Sequence, residues 1–304
     1  MKEALKVLGF KFQQCQEPLS KVSLFLLKIT AFSIFKGMKR IQLVEFEDFK
    51  WFPSIWHSTM TKLIVVIHKI LGTKEVITDL LLYTREKYDF SKIVDMGSGS
   101  GGAMPEVIDH FNKENPNSKV ELLLTDLHPN SKFVQSFNEE KRDNISYCTF
   151  PLDASNLAKT PKGLKMMVNS FHHMPPNIAR KILSTAQSNK QPILIYEMGE
   201  NLLSVWVWVL TLPLGLPLVA LMSIFMLPFI KPLKFTDILF TWIIPIIPIF
   251  YAWDGQASSP RTYTFEDINE ELLPKVENNY IWEIKHAKKR NGKKLGYYIL
   301  GIPK

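Results

Sequence analysis

The chain has 304 residues and a formal net charge of +8, enough for one large α/β domain with an embellishment or for two small domains. Its only cysteines, Cys15 and Cys148, are far apart and lack ligand spacing, so a disulfide framework and a zinc site are not indicated and a reducing compartment is expected. The positive charge suits nucleic acid or an anionic membrane surface, and long apolar runs favour the membrane.

The first apolar run, Val22 to Phe35, is interrupted by Lys28 and has no small-residue cleavage site, so it reads as a retained segment. Lys21, Lys28 and Lys36 recur at helical spacing among Leu24, Phe25, Leu27, Phe32 and Phe35. That pattern predicts a basic amphipathic helix, either lying in a membrane interface or packed with a solvated basic edge. The aromatic and acidic stretch Glu45 to Pro53 is too irregular for a regular element, and serves as a substrate-side cap or as packing. Thr73 then caps a helix through Tyr88, with Val76, Ile77, Leu80 and Tyr83 on one face.

Lys92 to Gly102 is the stretch around which the rest is organised. Ile93 and Val94 suit a buried parallel strand, Asp95 sits where it emerges, and Gly97, Gly99 and Gly101 permit a sharp turn before a helix opening at Ala103 to Pro105. Strand, glycine turn and helix form a nucleotide-binding unit. The pattern Asp-x-Gly-x-Gly-x-Gly is not the dinucleotide G-x-G-x-x-G, and its carboxylate suits a cationic or hydroxyl-rich ligand better than a pyrophosphate.

Three further apolar runs each end near a polar side chain. Val120 to Asp126 offers Asp126 to ribose hydroxyls, and Ile145 to Asp153 sets Asp153 where it meets an adenine amino group or caps a turn. Leu164 to His173 brings Asn169 for an amide contact with cofactor or acceptor, then His172 and His173 as candidate general bases. Pro175 and Pro176 begin a helix through Ala186, and a fifth strand, Pro192 to Glu197, carries Glu197 toward substrate or solvent.

Asn201 to Ile230 carries no charge and is long enough to cross a bilayer; Lys231, Lys234 and Asp237 then precede a second uncharged run from Ile238 to Trp253. The following strands must rejoin the same sheet, which leaves a two-span hairpin, a hairpin lying in one leaflet, or a soluble apolar lid. A spanning hairpin would export two lysines against the positive-inside tendency, which favours the in-plane arrangement. Trp206, Trp208, Trp242 and Trp253 suit a membrane interface or a core.

The polar, turn-rich segment Trp253 to Tyr263 brings Arg261 and Tyr263 toward an anionic acceptor group, or lets Arg261 pair with Asp254. Thr264 to Asp267 is a capping-box pattern opening a helix through Leu273. Two final strands flank a basic turn with Asn291-Gly292 at its tip, a closing antiparallel pair.

The stretches Glu45 to Pro53, Asp95 to Gly102, Leu124 to Asn130, Phe171 to His173, Trp253 to Gly255 and Arg261 to Tyr263 resemble a bacterial family of predicted class I S-adenosylmethionine (SAM)-dependent methyltransferases with a hydrophobic insertion in the C-terminal half. The resemblance implies a Rossmann-like seven-stranded α/β sheet with an N-terminal helical cap over 1–90, a SAM-binding core over 91–200, an apolar helical hairpin over 201–253 and completion of the sheet over 254–304. It further implies that Asp95, Gly97, Gly99 and Gly101 hold the methionyl part of SAM, Asp126 the ribose and Asp153 the adenine. The chain lacks the motifs used to methylate nucleic-acid bases, so a small-molecule or lipid acceptor at the cytoplasmic face of a membrane is expected, with no nucleic acid and no metal. An NAD(P)-dependent oxidoreductase and a non-catalytic membrane scaffold are the competing readings.

Overall fold

Short runs of β-branched and aliphatic residues, each buried on both faces, build the centre of the protein. In the computed structural model, which describes residues 33–34, 38–49, 51–274 and 279–304, these are β1 (Lys92–Met96), β2 (Glu121–Thr125), β3 (Ile145–Tyr147), β4 (Leu164–Val168) and β5 (Ile193–Glu197). They pair in parallel, and β6 (Tyr280–Lys288) and β7 (Lys294–Pro303) close the sheet as an antiparallel pair. The order is β3-β2-β1-β4-β5-β7-β6, a seven-stranded α/β sheet whose direction of winding reverses between β1 and β4. Ligands collect at the strand carboxyl ends beside such a reversal.

Alternate residues of each strand serve opposite faces. Leu194 and Tyr196 join a core with α2 (Thr73–Lys87), α3 (Met104–Glu114) and α4 (Ser131–Glu139), whereas Ile193 and Ile195 face α5 (Pro176–Ser188). The sheet is therefore sandwiched. Gly296 permits the close pairing of β7 with β5: its φ is +75°, and a Cβ there would lie 2.0 Å from the carbonyl oxygen of Glu197.

The expected helix over Val22 to Phe35 lies outside the described residues except at Ser33–Ile34, which pair with Ile41–Gln42 as a two-residue antiparallel ladder. One long helix not expected from the sequence, α1 (Ser54–Leu71), follows the aromatic stretch; Gly72 ends it in the left-handed conformation and α2 departs directly from it. Its Met60, Leu63 and Val66 pack with the insertion, together with Phe52 of the aromatic stretch.

The insertion consists of α6 (Val205–Met226), α7 (Phe235–Ile238) with a following π-turn, and α8 (Ile246–Arg261). The segment Phe235–Ile243 meets α8 at 81°. Helix α8 continues through Asp254 to Arg261, so the segment from Trp253 is helical where turns were expected. Its buried side, including Ala257 and Pro260, supplies the packing that its sequence of Gly, Ser and Pro does not advertise. The far end of the hairpin is tied to α1: Asp237 accepts Thr59 Oγ1 at 2.7 Å and pairs with Lys62 Nζ. The hairpin thus lies along the globular body.

Two tryptophans are tied to the body by their indole N–H, one buried and one half-buried. Trp208 is buried and donates to the carbonyl of Gln256 at 3.0 Å, and Trp253 donates to the carbonyl of Val44 at 2.8 Å; Trp206 and Trp242 are exposed. The capping box forms as expected, with reciprocal bonds between Thr264 and Asp267, but it opens the π-turn Asp267–Leu272. The closing turn is stabilised by Lys289 N–H donating to the Lys293 carbonyl at 2.8 Å, with Gly292 at φ +81°.

Candidate active site

A cavity of about 490 Å³ opens at the strand carboxyl ends where the winding reverses. One end is the glycine loop after β1. Gly97, Gly99, Gly101 and Gly102 all have positive φ, and a Cβ at Gly102 would meet nothing within 4 Å. The loop is pinned from below: the amides of Gly97 and Ser98 donate to the Thr125 carbonyl at 3.0 and 2.9 Å, and Tyr147 Oη donates to the Gly99 carbonyl at 2.7 Å. A backbone fixed in this way keeps its shape when a ligand approaches.

Asp95 and Asp126 sit together at this end. Asp95 is buried and accepts Ser98 Oγ at 2.6 Å; burial and, secondarily, the nearby Asp126 charge push its carboxyl up to about 7, against the opposing Ser98 bond. A cationic partner would restore the carboxylate. Asp126 accepts the Gly99 amide at 2.9 Å and the His128 amide at 2.7 Å, and each carboxylate oxygen keeps a lone pair for a hydroxyl. An open glycine cradle, an acid in want of a cation and an acid with free lone pairs fit the aminoacyl and ribose parts of SAM.

Asp153 does not join them. It is exposed, lies outside the cavity lining and accepts the Ser155 amide at 2.8 Å, the turn-capping role. Strand β3 stops at Tyr147, so the intervening residues carry Asp153 past the crevice.

Asn169, at φ +49°, lines the cavity as a bracket. Its Oδ1 accepts the Met198 amide at 2.7 Å, linking β4 to β5, and its Nδ2 lies 3.1 Å from His68 Nε2. Thr73 Oγ1 donates to the His68 carbonyl and sits 2.6 Å from His68 Nδ1, so Nδ1 carries the proton and Nε2 accepts from Asn169. Burial lowers His68 to about 4 and keeps it neutral, in agreement with that tautomer. Sequence reasoning missed His68 because it missed α1; the recurrence of Met60, Leu63, Ile67 and Leu71 before Gly72 was the available signal.

The two adjacent histidines separate into different roles. His172 is buried with Nδ1 2.7 Å from Glu197 Oε2, while Glu197 Oε1 accepts the amides of Phe171 and His172 at 2.8 and 3.1 Å. Glu197 therefore orients His172, leaving Nε2 as the basic nitrogen of the neutral ring. His173 Nδ1 lies 3.0 Å from Asp48 and 3.1 Å from Glu45. Although burial opposes its charge, Glu45 and Asp48 outweigh that and raise His173 to about 9. It is an imidazolium near neutral pH and is not available as a general base, which corrects the expectation for His173.

Arg261 and Tyr263 are also reassigned. Arg261 is fully buried, pairs with Glu45 at 3.0 Å and Asp48 at 2.6 Å, and lies outside the cavity lining. The expected partner Asp254 instead accepts the amides of Phe46 and Glu47 at 2.8 and 3.1 Å. Tyr263 is buried beneath Arg40 and donates to the Met174 carbonyl at 2.6 Å. Both brace the site from behind, and neither reaches an acceptor in the cavity. Glu197, expected to touch substrate, lines the cavity while holding His172.

Among the described residues, Glu45, His172 and His173 offer donor atoms within 4.8 Å of one another. The Arg261 guanidinium already neutralises Glu45, and His173 holds a proton, so a cation there would have to displace both. The aromatic stretch thus does two things: its rings pack on Phe250 and Trp56, and its acids Glu45, Glu47 and Asp48 line the cavity. The second end of the cavity is apolar, walled by Met60, Ile64 and Ile67 of α1 and by Val219 and Met222 of α6.

The seven-stranded sheet and its closing antiparallel pair are those expected from the resemblance to class I SAM-dependent methyltransferases. No protein-family model and no curated protein matches the chain. Among solved structures it is similar to the plantazolicin methyltransferase BamL, in complex with a triazolic desmethylPZN analog and SAH (14% identity, 82% of this chain and 98% of that chain, TM-score 0.43). It is also similar to PigF with SAH (12%, 71% and 50%, TM-score 0.39) and to human N-acetylserotonin methyltransferase in complex with SAM (10%, 78% and 52%, TM-score 0.37).

Proposed function

We propose that this protein transfers a methyl group from SAM to a lipophilic small molecule or lipid, while lying on the cytoplasmic face of a membrane. The observation that carries the reading is a single cavity that joins the glycine loop and Asp126 at one end to the inner side of α6 at the other. SAM would supply an already activated methyl group. Asp95 and the loop amides would hold its aminoacyl end and Asp126 its ribose. The protein's own work is positioning, worth on the order of 7–11 kcal/mol, and removal of the proton that an acceptor heteroatom sheds. His172, oriented by Glu197, is the group to take that proton.

The membrane part of the reading rests on α6. Val205–Phe229 is long and apolar enough to cross a bilayer, yet it is largely uncovered, with Trp206, Leu210, Leu214, Leu218 and Phe225 all more than 60% exposed. An apolar surface of that extent in water is unfavourable, and lipid would cover it. The Lys62–Asp237 pair favours an in-plane position: a spanning hairpin would carry that pair, and α1 with it, through the bilayer. Lys231 and Lys234, both exposed, would meet anionic headgroups.

Calorimetric titration of the full chain with S-adenosylhomocysteine and separately with NADH tests the cofactor. Binding of the first alone is expected; a response to NADH alone would replace the reading with a dinucleotide enzyme.

A further inference from the structure

Among the acids that line the acceptor end of the cavity, Glu47 alone has a buried carboxylate oxygen without a hydrogen-bond partner among the described residues. Glu45 is engaged by Arg261, His173 and Ser258, Asp48 by His173 and Arg261, and Asp254 by the amides of Phe46 and Glu47. Glu47 stands on the same short turn, Phe46–Asp48, and its Oε1 is buried with no hydrogen-bond partner among the described residues. The turn cannot easily swing to solvate it, because Asp254 holds the Glu47 amide at 3.1 Å and the Phe46 ring packs against Phe250 with centroids 4.5 Å apart. A buried acceptor left unsatisfied is costly, and one on a residue that lines a cavity is placed to be satisfied by a donor that enters the cavity.

We infer that Glu47 is the acceptor-recognition residue, receiving a hydrogen bond from an O–H or N–H of the methyl acceptor other than the proton His172 removes, while the acceptor's apolar body lies between α1 and α6. The assignment rests on the methyl-transfer reading and adds the substrate class: a lipophile bearing a hydrogen-bond donor. The surroundings match it. Met60, Ile64, Val219 and Met222 offer nothing to a polar tail, while Tyr251 and Glu47 form the polar corner beside them. Burial, reinforced by the neighbouring charges of Glu45 and Asp48 and opposed by that of His173, raises the Glu47 carboxyl to about 7. Such a group accepts from a hydroxyl and, as the carboxylate, from an amine.

The test uses the full chain saturated with S-adenosylhomocysteine and three probes of similar size: 4-octylphenol, 4-octylaniline and 4-octylanisole, the last lacking the donor. Binding is followed by calorimetry. At least one donor-bearing probe is expected to bind ten-fold or more tightly than the anisole, a difference of about 1.4 kcal/mol. Glu47→Leu is expected to remove that preference while leaving anisole and S-adenosylhomocysteine affinities unchanged. Equal binding of anisole and both donor-bearing probes by the wild type overturns the inference without any variant, as does a preference that survives Glu47→Leu. Failure of S-adenosylhomocysteine to bind would instead overturn the methyl-transfer reading, so the two failures are distinct.

Discussion

Nδ1 of His172 lies 2.7 Å from Oε2 of Glu197, and the other oxygen of the same carboxylate accepts the backbone amide of His172 itself. One side chain thereby fixes both the ring and the turn that carries it. The proton on Nδ1 is committed to Glu197, and the lone pair on Nε2 is the one left for chemistry.

Replacing either partner should separate chemistry from binding. His172→Gln removes the base. Glu197→Gln presents an amide that can favour the opposite tautomer, with the proton on Nε2. Each is expected to lower methyl incorporation from radiolabelled SAM into a membrane lipid extract by about 10²–10⁴-fold, with S-adenosylhomocysteine affinity unchanged. Normal turnover by Glu197→Gln would remove His172 from the reaction.

Asp95 makes cofactor affinity depend on pH. Its carboxyl stands near 7 because burial disfavours the charge, so the carboxylate that pairs with an ammonium group forms as pH rises through that value. Affinity for S-adenosylhomocysteine is expected to rise between pH 5.5 and 7.5, by up to about ten-fold per unit below 7, and Asp95→Asn should flatten the profile. A wild-type profile already flat over this range would contradict the assignment.

His173 should act on stability with the opposite sense. Its folded value, about 9, lies above the ordinary 6.5, so the protonated form is favoured by folding; the contribution is full below 6.5 and is lost as pH rises toward 9. His173→Gln is expected to be less stable than wild type at pH 6, by on the order of 2 kcal/mol, with the gap closing above pH 9 in urea denaturation. A gap that stays constant with pH would mean that the imidazolium pairs contribute nothing.

The exposed stripe of α6 predicts membrane association. Leu210, Leu214 and Leu218 repeat every fourth residue and are 80%, 77% and 64% exposed. Changing all three to Glu should abolish flotation with anionic phospholipid vesicles while leaving the melting temperature and S-adenosylhomocysteine affinity in place. Undiminished flotation would move the anchor elsewhere in the chain.

Much of the donor end was legible from the chain alone. The run Lys92 to Gly102 encodes strand, acid and turn within eleven neighbouring positions, and Val120 to Asp126 encodes the next strand and its terminal acid, because local backbone demands on glycine and β-branched residues are written where they act. The absence of charge from Asn201 to Ile230 announced the apolar insertion in the same way. The acceptor end was decided only by tertiary structure. Glu45 and Asp48 reach His173 and Arg261 across more than 120 positions of sequence, and that meeting turns one histidine into a fixed cation while leaving its neighbour to Glu197. Proton affinity and access to a cavity belong to through-space neighbours, which no local pattern specifies.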